Sequence, residues 1–143
     1  MCDAEERDTR RRPALVFASD STALAGRANR KLDSYRRFIA GSRADLGNAK
    51  DAYVTSRSGW FSDRSTCFLA SGRPALHQET GFTDWLPTTF CVLSFNSFDE
   101  LEDAIHRMDT DYRRQAAAAR QVAEEHFEAK TALGHMLDAA GLR

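Results

Sequence analysis

The sequence has almost no excess of charge of either sign. Its 143 residues carry 20 Lys and Arg against 21 Asp and Glu, which leaves a formal net charge of −1 at pH 7. A surface that binds nucleic acid has a basic footprint, so this balance argues against a nucleic-acid partner. The basic run at Arg10–Arg12 does not alter this conclusion, because such a run near a terminus is usually a solvated tail.

Cysteine is also scarce. The three cysteines, Cys2, Cys67 and Cys91, lie far apart and lack the spacing of metal ligands, so the sequence predicts no metal site. Cys67 falls in a predicted helix and Cys91 in a predicted strand, where both are expected to be small buried apolar residues. An odd cysteine count and a charged N-terminus without an apolar segment favour the reducing cytoplasm.

Long apolar runs are missing as well, so no membrane-spanning segment is predicted. Instead, short apolar stretches alternate with amphipathic ones. Predicted strands cover 14–18, the second half of 46–55, 75–78 and 90–95. Predicted helices cover 23–40, 62–71, a segment opening at a capping box on Ser97 and Glu100, 111–130 and a short stretch around 133–137.

This alternation, with short connections, predicts βαβ units. The expected fold is α/β: a Rossmann-like three-layer domain with a small parallel sheet and a helical C-terminus. Residues 1–30 are a poorly defined lead-in, and residues 31–143 form the domain. A chain of this length is expected to fold around a single core.

A glycine turn leading into a helix is the most informative feature of the sequence. The turn surrounds Gly59, Ser62 stands at the N-cap position, and Gly72 ends the helix. Unpaired N–H groups and the helix dipole at such an N-terminus attract phosphate. Arg57 and Arg64 flank the turn, and Arg64 in the first turn is the better placed cation, expected to be exposed and of little importance for folding. The alternative, an ordinary capped helix, stays open.

A second loop, Glu79–Phe82, follows the predicted strand 75–78. Ligands of parallel sheets bind where the strands end, at their carboxyl edge. Loops 55–62 and 79–87 are both predicted to follow strands, so they are expected to emerge at this same edge.

These segments carry a family resemblance. Gly59–Ser65, Leu69–Pro74 and Gln78–Phe82 resemble the C-terminal, donor-binding half of GT-B-type bacterial glycosyltransferases. The resemblance covers roughly residues 34–140 and is most specific over 56–87. It implies a nucleotide-sugar donor, with its diphosphate at the Gly59 turn and its sugar beside Thr80–Phe82. The implied substrate-binding residues are Arg57, Ser58, Gly59, Trp60, Phe61, Ser62, Arg64, Glu79, Thr80, Gly81 and Phe82.

The sequence also departs from this family. Gly59 and Cys67 stand where many GT-B enzymes carry two glutamates, so a ribose contact through a helix carboxylate is not expected. Glu79 either binds hydroxyl groups or is a surface acid at the end of a strand. GT-B enzymes have a first domain that supplies the acceptor site and usually the catalytic base. No such domain is recognisable here, so no catalytic residue is assigned and the isolated chain is expected not to transfer sugar without a partner chain or an N-terminal acceptor domain.

An alternative of a different class is a non-catalytic α/β interaction module, whose alanine-rich C-terminal helices pack on another protein. Other chemistry has less support. No histidine has a partner at ligand spacing, and no G-x-S-x-G elbow would activate Ser58 or Ser65 as a nucleophile. Trp85 either stacks on a base or sugar, or packs against the sheet edge.

Overall fold

The computed structural model describes residues 16–17, 32–88 and 90–142. The predicted lead-in, 1–30, lies outside the described residues except for 16–17. The elements, in chain order, are β1 Val16–Phe17, α1 Leu32–Gly41, β2 Asp45–Gly47, α2 Asp51–Thr55, α3 Asp63–Ala70, β3 Ala75–Gln78, a 3₁₀ turn Phe82–Asp84, β4 Val92–Phe95, α4 Phe98–Thr110, α5 Tyr112–His126 and α6 Ala129–Ala139.

The strands form one parallel sheet in the order β1-β2-β3-β4, so each strand pairs with the one that precedes it in sequence. In register, Leu46 lies opposite Leu76, and Leu76 lies opposite Leu93. The predicted α/β fold with a small parallel sheet is confirmed. The connection from β3 to β4 contains the 3₁₀ turn rather than an α-helix.

Successive strand residues point to opposite faces of the sheet, so each face has its own core. Helices cover both faces. One core contains Ala75 and Val92 of the strands, packed with Leu69 of α3 and with α5 residues Ala119, Val122 and Ala123. The other core contains Leu46, Leu76 and Leu93, packed with Ala104 and Met108 of α4. This gives three layers.

The capping box at the start of α4 is present, with one difference. The Oγ of Ser97 accepts a hydrogen bond from the Glu100 N–H at 3.2 Å. The Glu100 carboxylate reaches back to the N–H of Asn96 at 2.6 Å, one residue before the position that the motif predicts. The box satisfies orphan donors at the helix start and sets where α4 leaves the sheet.

A polar cluster ties three elements together at the amino edge of the sheet. Arg73, just before β3, donates from Nη1 to the Tyr112 hydroxyl at 3.0 Å and from Nη2 to the Ala40 carbonyl at 2.6 Å. The Tyr112 hydroxyl donates to the Arg43 carbonyl at 2.7 Å, and the Arg43 guanidinium lies 4.0 Å from the Tyr112 ring centroid. The end of α1 and the start of α5 are thereby fixed to the start of β3.

Several predicted elements need correction. The strand predicted in the second half of 46–55 is wrong: residues 51–55 form α2, and the strand is Asp45–Gly47. A three-residue strand with a charged first residue and a glycine gives little apolar signal, whereas Tyr53 and Val54 have high strand propensity and lie half-buried on a helix. The last predicted strand begins at Val92, and of the helix predicted over 23–40 the structure describes 32–41. Cys91 is buried as expected, but Cys67 is exposed.

The described helices include none long and apolar enough to cross a membrane.

Two methionines provide a matched test of the core on α4. Met108 is fully buried, whereas Met136 on α6 is 67% exposed. Met108→Ala is expected to lower the free energy of unfolding by about 2–5 kcal/mol, because it removes packed atoms and leaves a cavity. Met136→Ala is expected to change it by less than about 0.5 kcal/mol. Urea denaturation of both variants measures the difference, and similar losses would contradict the described packing of α4.

Candidate functional site

The two loops identified from the sequence meet at the carboxyl edge of the sheet. We call residues 56–62 the first loop and residues 79–87 the second loop. The Gly59 N–H donates to the Thr80 carbonyl at 2.8 Å, and the Thr80 hydroxyl donates to the Trp60 carbonyl at 2.6 Å. The Trp85 indole N–H donates to the Gly59 carbonyl at 3.0 Å. Three hydrogen bonds therefore make the two loops one unit.

The loops also touch backbone to backbone. Gly81 has φ of +91°, and a Cβ built at this position would lie 2.9 Å from the Arg57 carbonyl oxygen. Arg57 itself has φ of +46°, which is uncommon for a residue other than glycine. Only a glycine at position 81 permits this close approach.

An aromatic cluster lies beneath the crossing. The Phe61 ring packs 5.3 Å from the Phe82 ring and 5.8 Å from the Phe127 ring, and Trp60 stacks on Tyr53 at 5.0 Å between centroids. Such ring pairs stabilise beyond the area that they bury. The cluster fixes the path of both loops over the strand ends.

The predicted site residues differ widely in exposure. Arg57 and Ser58 are exposed; Gly59, Trp60, Phe61, Arg64 and Glu79 are half-buried; Ser62, Thr80, Gly81 and Phe82 are buried. The buried members support the loops from within, and the exposed and half-buried ones are those that a ligand at this edge can reach.

The start of α3 differs from the prediction. The Ser62 side chain makes no capping hydrogen bond, and the residue is 5% exposed. Its carbonyl accepts from the Thr66 N–H at 3.1 Å, while the Asp63 carboxylate accepts from the N–H of Arg64 at 2.9 Å. One first-turn donor is therefore bound by an acidic side chain of the helix itself.

A buried carboxylate lies against this first turn. Asp45, at the start of β2, is fully buried. It accepts from the Ser65 hydroxyl at 2.6 Å and from the Arg64 Nε at 3.1 Å. The Arg64 side chain is 27% exposed, so the arginine expected to be a solvent-exposed cation is half of an ion pair with the interior. Asp45 was not singled out in the sequence, where an acidic residue before Leu46 gives no ligand-type pattern.

Arg57 is held more loosely. Its Nη2 lies 3.4 Å from both carboxylate oxygens of Asp84, and the two side chains are 58% and 73% exposed. An exposed pair at this distance contributes little to stability, since water and salt screen it. Breaking the ion pair of Arg57 therefore costs less free energy than breaking that of Arg64.

Glu79 folds back on its own loop. One of its carboxylate oxygens, Oε1, accepts from the Gly81 N–H at 2.5 Å and from the Thr83 hydroxyl at 3.2 Å. Both interactions hold the turn that follows β3. A ligand hydroxyl that binds Oε1 has to share that oxygen with these two donors.

Sequence reasoning passed over His77 because it has no partner at ligand spacing, yet it lies at the centre of this region. It is fully buried in β3, its Nδ1 lies 3.0 Å from the Gln78 carbonyl oxygen, and burial lowers its pKa below the ordinary value of 6.5. A polar residue inside the apolar stretch 75–78 was the available signal. Phe98 was also missed as a candidate: it follows the N-cap of α4 at the carboxyl edge, and it is 79% exposed.

Among residues 16–17, 32–88 and 90–142, no group of three or more His, Cys, Asp or Glu side chains is arranged to hold a metal ion. Comparisons with protein-family models, with curated proteins and with solved structures gave no match. The resemblance to the glycosyltransferases therefore stays a prediction, and the site has to be argued from its own geometry.

Removing the Arg64 guanidinium tests the buried ion pair. Arg64→Ala leaves the Asp45 carboxylate buried with the Ser65 hydroxyl as its remaining described partner. We expect a loss of roughly 3 kcal/mol in the free energy of unfolding, at the low end for a broken buried pair because Arg64 is partly exposed. Arg57→Ala is the matched control and is expected to cost at most about 1 kcal/mol. Equal losses in urea denaturation would show that Asp45 does not depend on Arg64.

Gly81→Ala tests the loop crossing. The left-handed backbone costs a residue with a Cβ about 1–2 kcal/mol, and the contact with the Arg57 carbonyl adds to this cost. Gly41→Ala is the control, because a Cβ at the end of α1 would meet nothing within 4 Å and alanine favours the helix. Thermal or urea unfolding is expected to show destabilisation for the first variant and none for the second. An unaffected Gly81→Ala protein would exclude the close approach.

Proposed function

We propose that the chain is the nucleotide-sugar donor-binding part of a GT-B-type glycosyltransferase and that it requires a partner domain for transfer. The observation that carries the proposal is the joining of two loops at the carboxyl edge of a parallel sheet. The first loop bears Arg57 and leads into α3, which has Arg64 in its first turn. Ligands of open α/β sheets bind at this edge. Two of the three segments with the family resemblance, Gly59–Ser65 and Gln78–Phe82, lie at this edge, whereas Leu69–Pro74 lies at the amino edge, before β3.

The chemistry of donor activation suits these residues. When a nucleoside diphosphate departs from a sugar, negative charge collects on its β-phosphate, and cations or fixed dipoles stabilise that charge. Arg57 is the residue assigned to bind the diphosphate, because its existing pair with Asp84 is long and exposed. Arginine can hold a phosphate with two parallel hydrogen bonds, which fixes direction as well as strength.

Asp45 affects this proposal in two ways. It fixes the Arg64 Nε beside the first turn of α3, so that Arg64 is ordered before any ligand arrives. It also places a negative charge close to the proposed phosphate position. That charge partly neutralises the positive charge of Arg64 and of the helix N-terminus. The loosely paired Arg57 therefore carries the larger share of the selective anion binding in this proposal.

A second candidate, the interaction module, has one specific observation in its favour. Large apolar side chains are exposed at the C-terminal end of the chain. They are Leu133, Met136, Leu137 and Leu142. Exposed apolar groups of this kind are suited to burial against another protein or domain. The two candidates make opposite predictions for nucleotide binding.

Calorimetric titration with a panel of nucleoside diphosphates tests the donor site. Wild-type protein is expected to bind at least one of them, and Arg57→Ala is expected to weaken that binding by about 1–3 kcal/mol, the value of a hydrogen bond to a charged group. The matched control is Arg113→Ala, an exposed arginine in the first turn of α5. Its affinity is expected to equal that of wild type.

Two results would contradict the proposal. If wild-type protein binds no nucleoside diphosphate, the carboxyl edge is not a donor site and the interaction module is favoured. If Arg57→Ala and wild type bind equally, the ligand does not contact the first loop in the proposed way. Because Arg57→Ala is expected to leave folding almost unchanged, its loss of affinity can be separated from a loss of structure.

A further inference from the structure

His77 is the residue on which both loops rest. Its ring centroid lies 5.2 Å from the Trp60 ring and 5.1 Å from the Phe61 ring, both in the first loop. It lies 5.4 Å from the Phe82 ring in the second loop. On the remaining side the imidazole covers Gly47 at the end of β2, where an added Cβ would lie 2.7 Å from Nε2. Three separate segments, the two loops and the end of β2, therefore meet on one imidazole.

The hydrogen bond of the ring to the Gln78 carbonyl shows which nitrogen carries the proton of the neutral form. The Gln78 carbonyl at 3.0 Å from Nδ1 can only accept, so Nδ1 carries the proton. In the neutral ring Nε2 is then a bare acceptor. This atom is buried and has no hydrogen-bond partner in the described part of the chain. A second proton would have to enter at Nε2, among aromatic rings and against Gly47.

The charged groups around His77 do not supply a hydrogen-bond acceptor for a protonated Nε2 in the described part of the chain. Asp45 on β2 and Glu79 at the end of β3 favour a cationic ring, and Arg64 on α3 opposes it. Both carboxylates already accept hydrogen bonds. On the loops above, Arg57 and Asp84 pair with each other. Burial is the largest influence on the ring and keeps its pKa below the ordinary value.

We propose that neutral His77 is a positioning residue that holds the two loops together, and that its protonation opens the carboxyl-edge site. An imidazolium enclosed by the rings of both loops and by Gly47 has an N–H at Nε2 without an acceptor, and its charge is removed from water. It gains water only when the loops above it separate. Loop opening depends only on the packing around His77. The further step, that acid releases a nucleotide sugar, rests on the proposed function.

Amide exchange of Gly59 measures the opening directly, because this N–H is bonded across the loop junction to Thr80. If the ring titrates near 6.5 in the open state and lower in the closed state, the protection factor of Gly59 falls between pH 7.5 and 5.5, by at most about tenfold. The sign follows from the lowered pKa: the open state binds more protons, so the closed state is fully favoured above pH 6.5 and loses stability below it. The Ala75 N–H, bonded to the Cys91 carbonyl in the sheet, is the internal reference and is expected to stay more strongly protected.

Two variants and one direct titration complete the experiment. In His77→Gln the protection of Gly59 is expected to be independent of pH, whereas His106→Gln, which alters an exposed histidine on α4, is expected to behave as wild type. The chemical shifts of the wild-type His77 ring report its own titration even if His77→Gln does not fold. A titration midpoint at or above 6.5, or a Gly59 protection that does not change with pH, would overturn the proposal. Equal losses at Gly59 and Ala75 would also overturn it, since His77 would then act on the whole fold.

Nucleoside diphosphate titrations at both pH values separate this proposal from the proposed function. Wild-type affinity is expected to fall more at pH 5.5 than that of His77→Gln, and the comparison cancels the titration of the phosphate itself. If no nucleotide binds at either pH while Gly59 responds, the donor site is refuted and the proton-linked opening stands. If a nucleotide binds and the protection of Gly59 does not change with pH, the donor site stands and the proton-linked opening is refuted.

Discussion

The buried carboxylate of Asp45 is the constraint on which the candidate site depends. A charge in the interior is tolerated only when nearby groups neutralise and hydrogen-bond it, and here a serine and an arginine from the first turn of α3 do so. This requirement fixes where α3 begins relative to the sheet. It also fixes the end of the first loop, and hence the position at which that loop crosses the second. The direction of Arg64, which in isolation resembles a ligand-binding feature, is a consequence of satisfying Asp45.

The carboxyl edge combines a rigid base with a more loosely held upper surface. Packed aromatic rings and His77 form the base, and hydrogen bonds between Gly59, Thr80 and Trp85 join the loops above it. The accessible polar groups, Arg57 and Asp84, pair in an exposed position at 3.4 Å. A binding surface benefits from this arrangement, because the backbone is ordered in advance while the charged groups can exchange partners at little cost.

The sequence predicted the fold well where the signals were local and strong. Strand 75–78, the apolar strand that follows it and the capping box at Ser97 were found from apolar runs and from cap spacing. The strand β2 was missed because it has three residues and its identity comes from pairing with β3, which no local pattern records. For the site, glycine positions marked both loops, and the rule about strand ends was right for the second loop, which follows β3. The first loop follows α2, so the prediction that it follows a strand was wrong, although the loop does meet the second one. The partners of individual side chains, such as Arg64 with Asp45, depend on contacts between residues distant in sequence, and so they could not be predicted.

The order β1-β2-β3-β4 has a consequence for how the chain reaches its structure. Among the described strands, each of β2, β3 and β4 pairs with the strand that comes before it, so the sheet can grow by closing one connection at a time. Folding rates decrease as contacting residues become more distant in sequence, because the entropy of loop closure is lost before the contact forms. In a parallel sheet of this order each new strand contacts the strand nearest to it in sequence, so the pairing of the strands adds as little sequence separation as parallel connections allow.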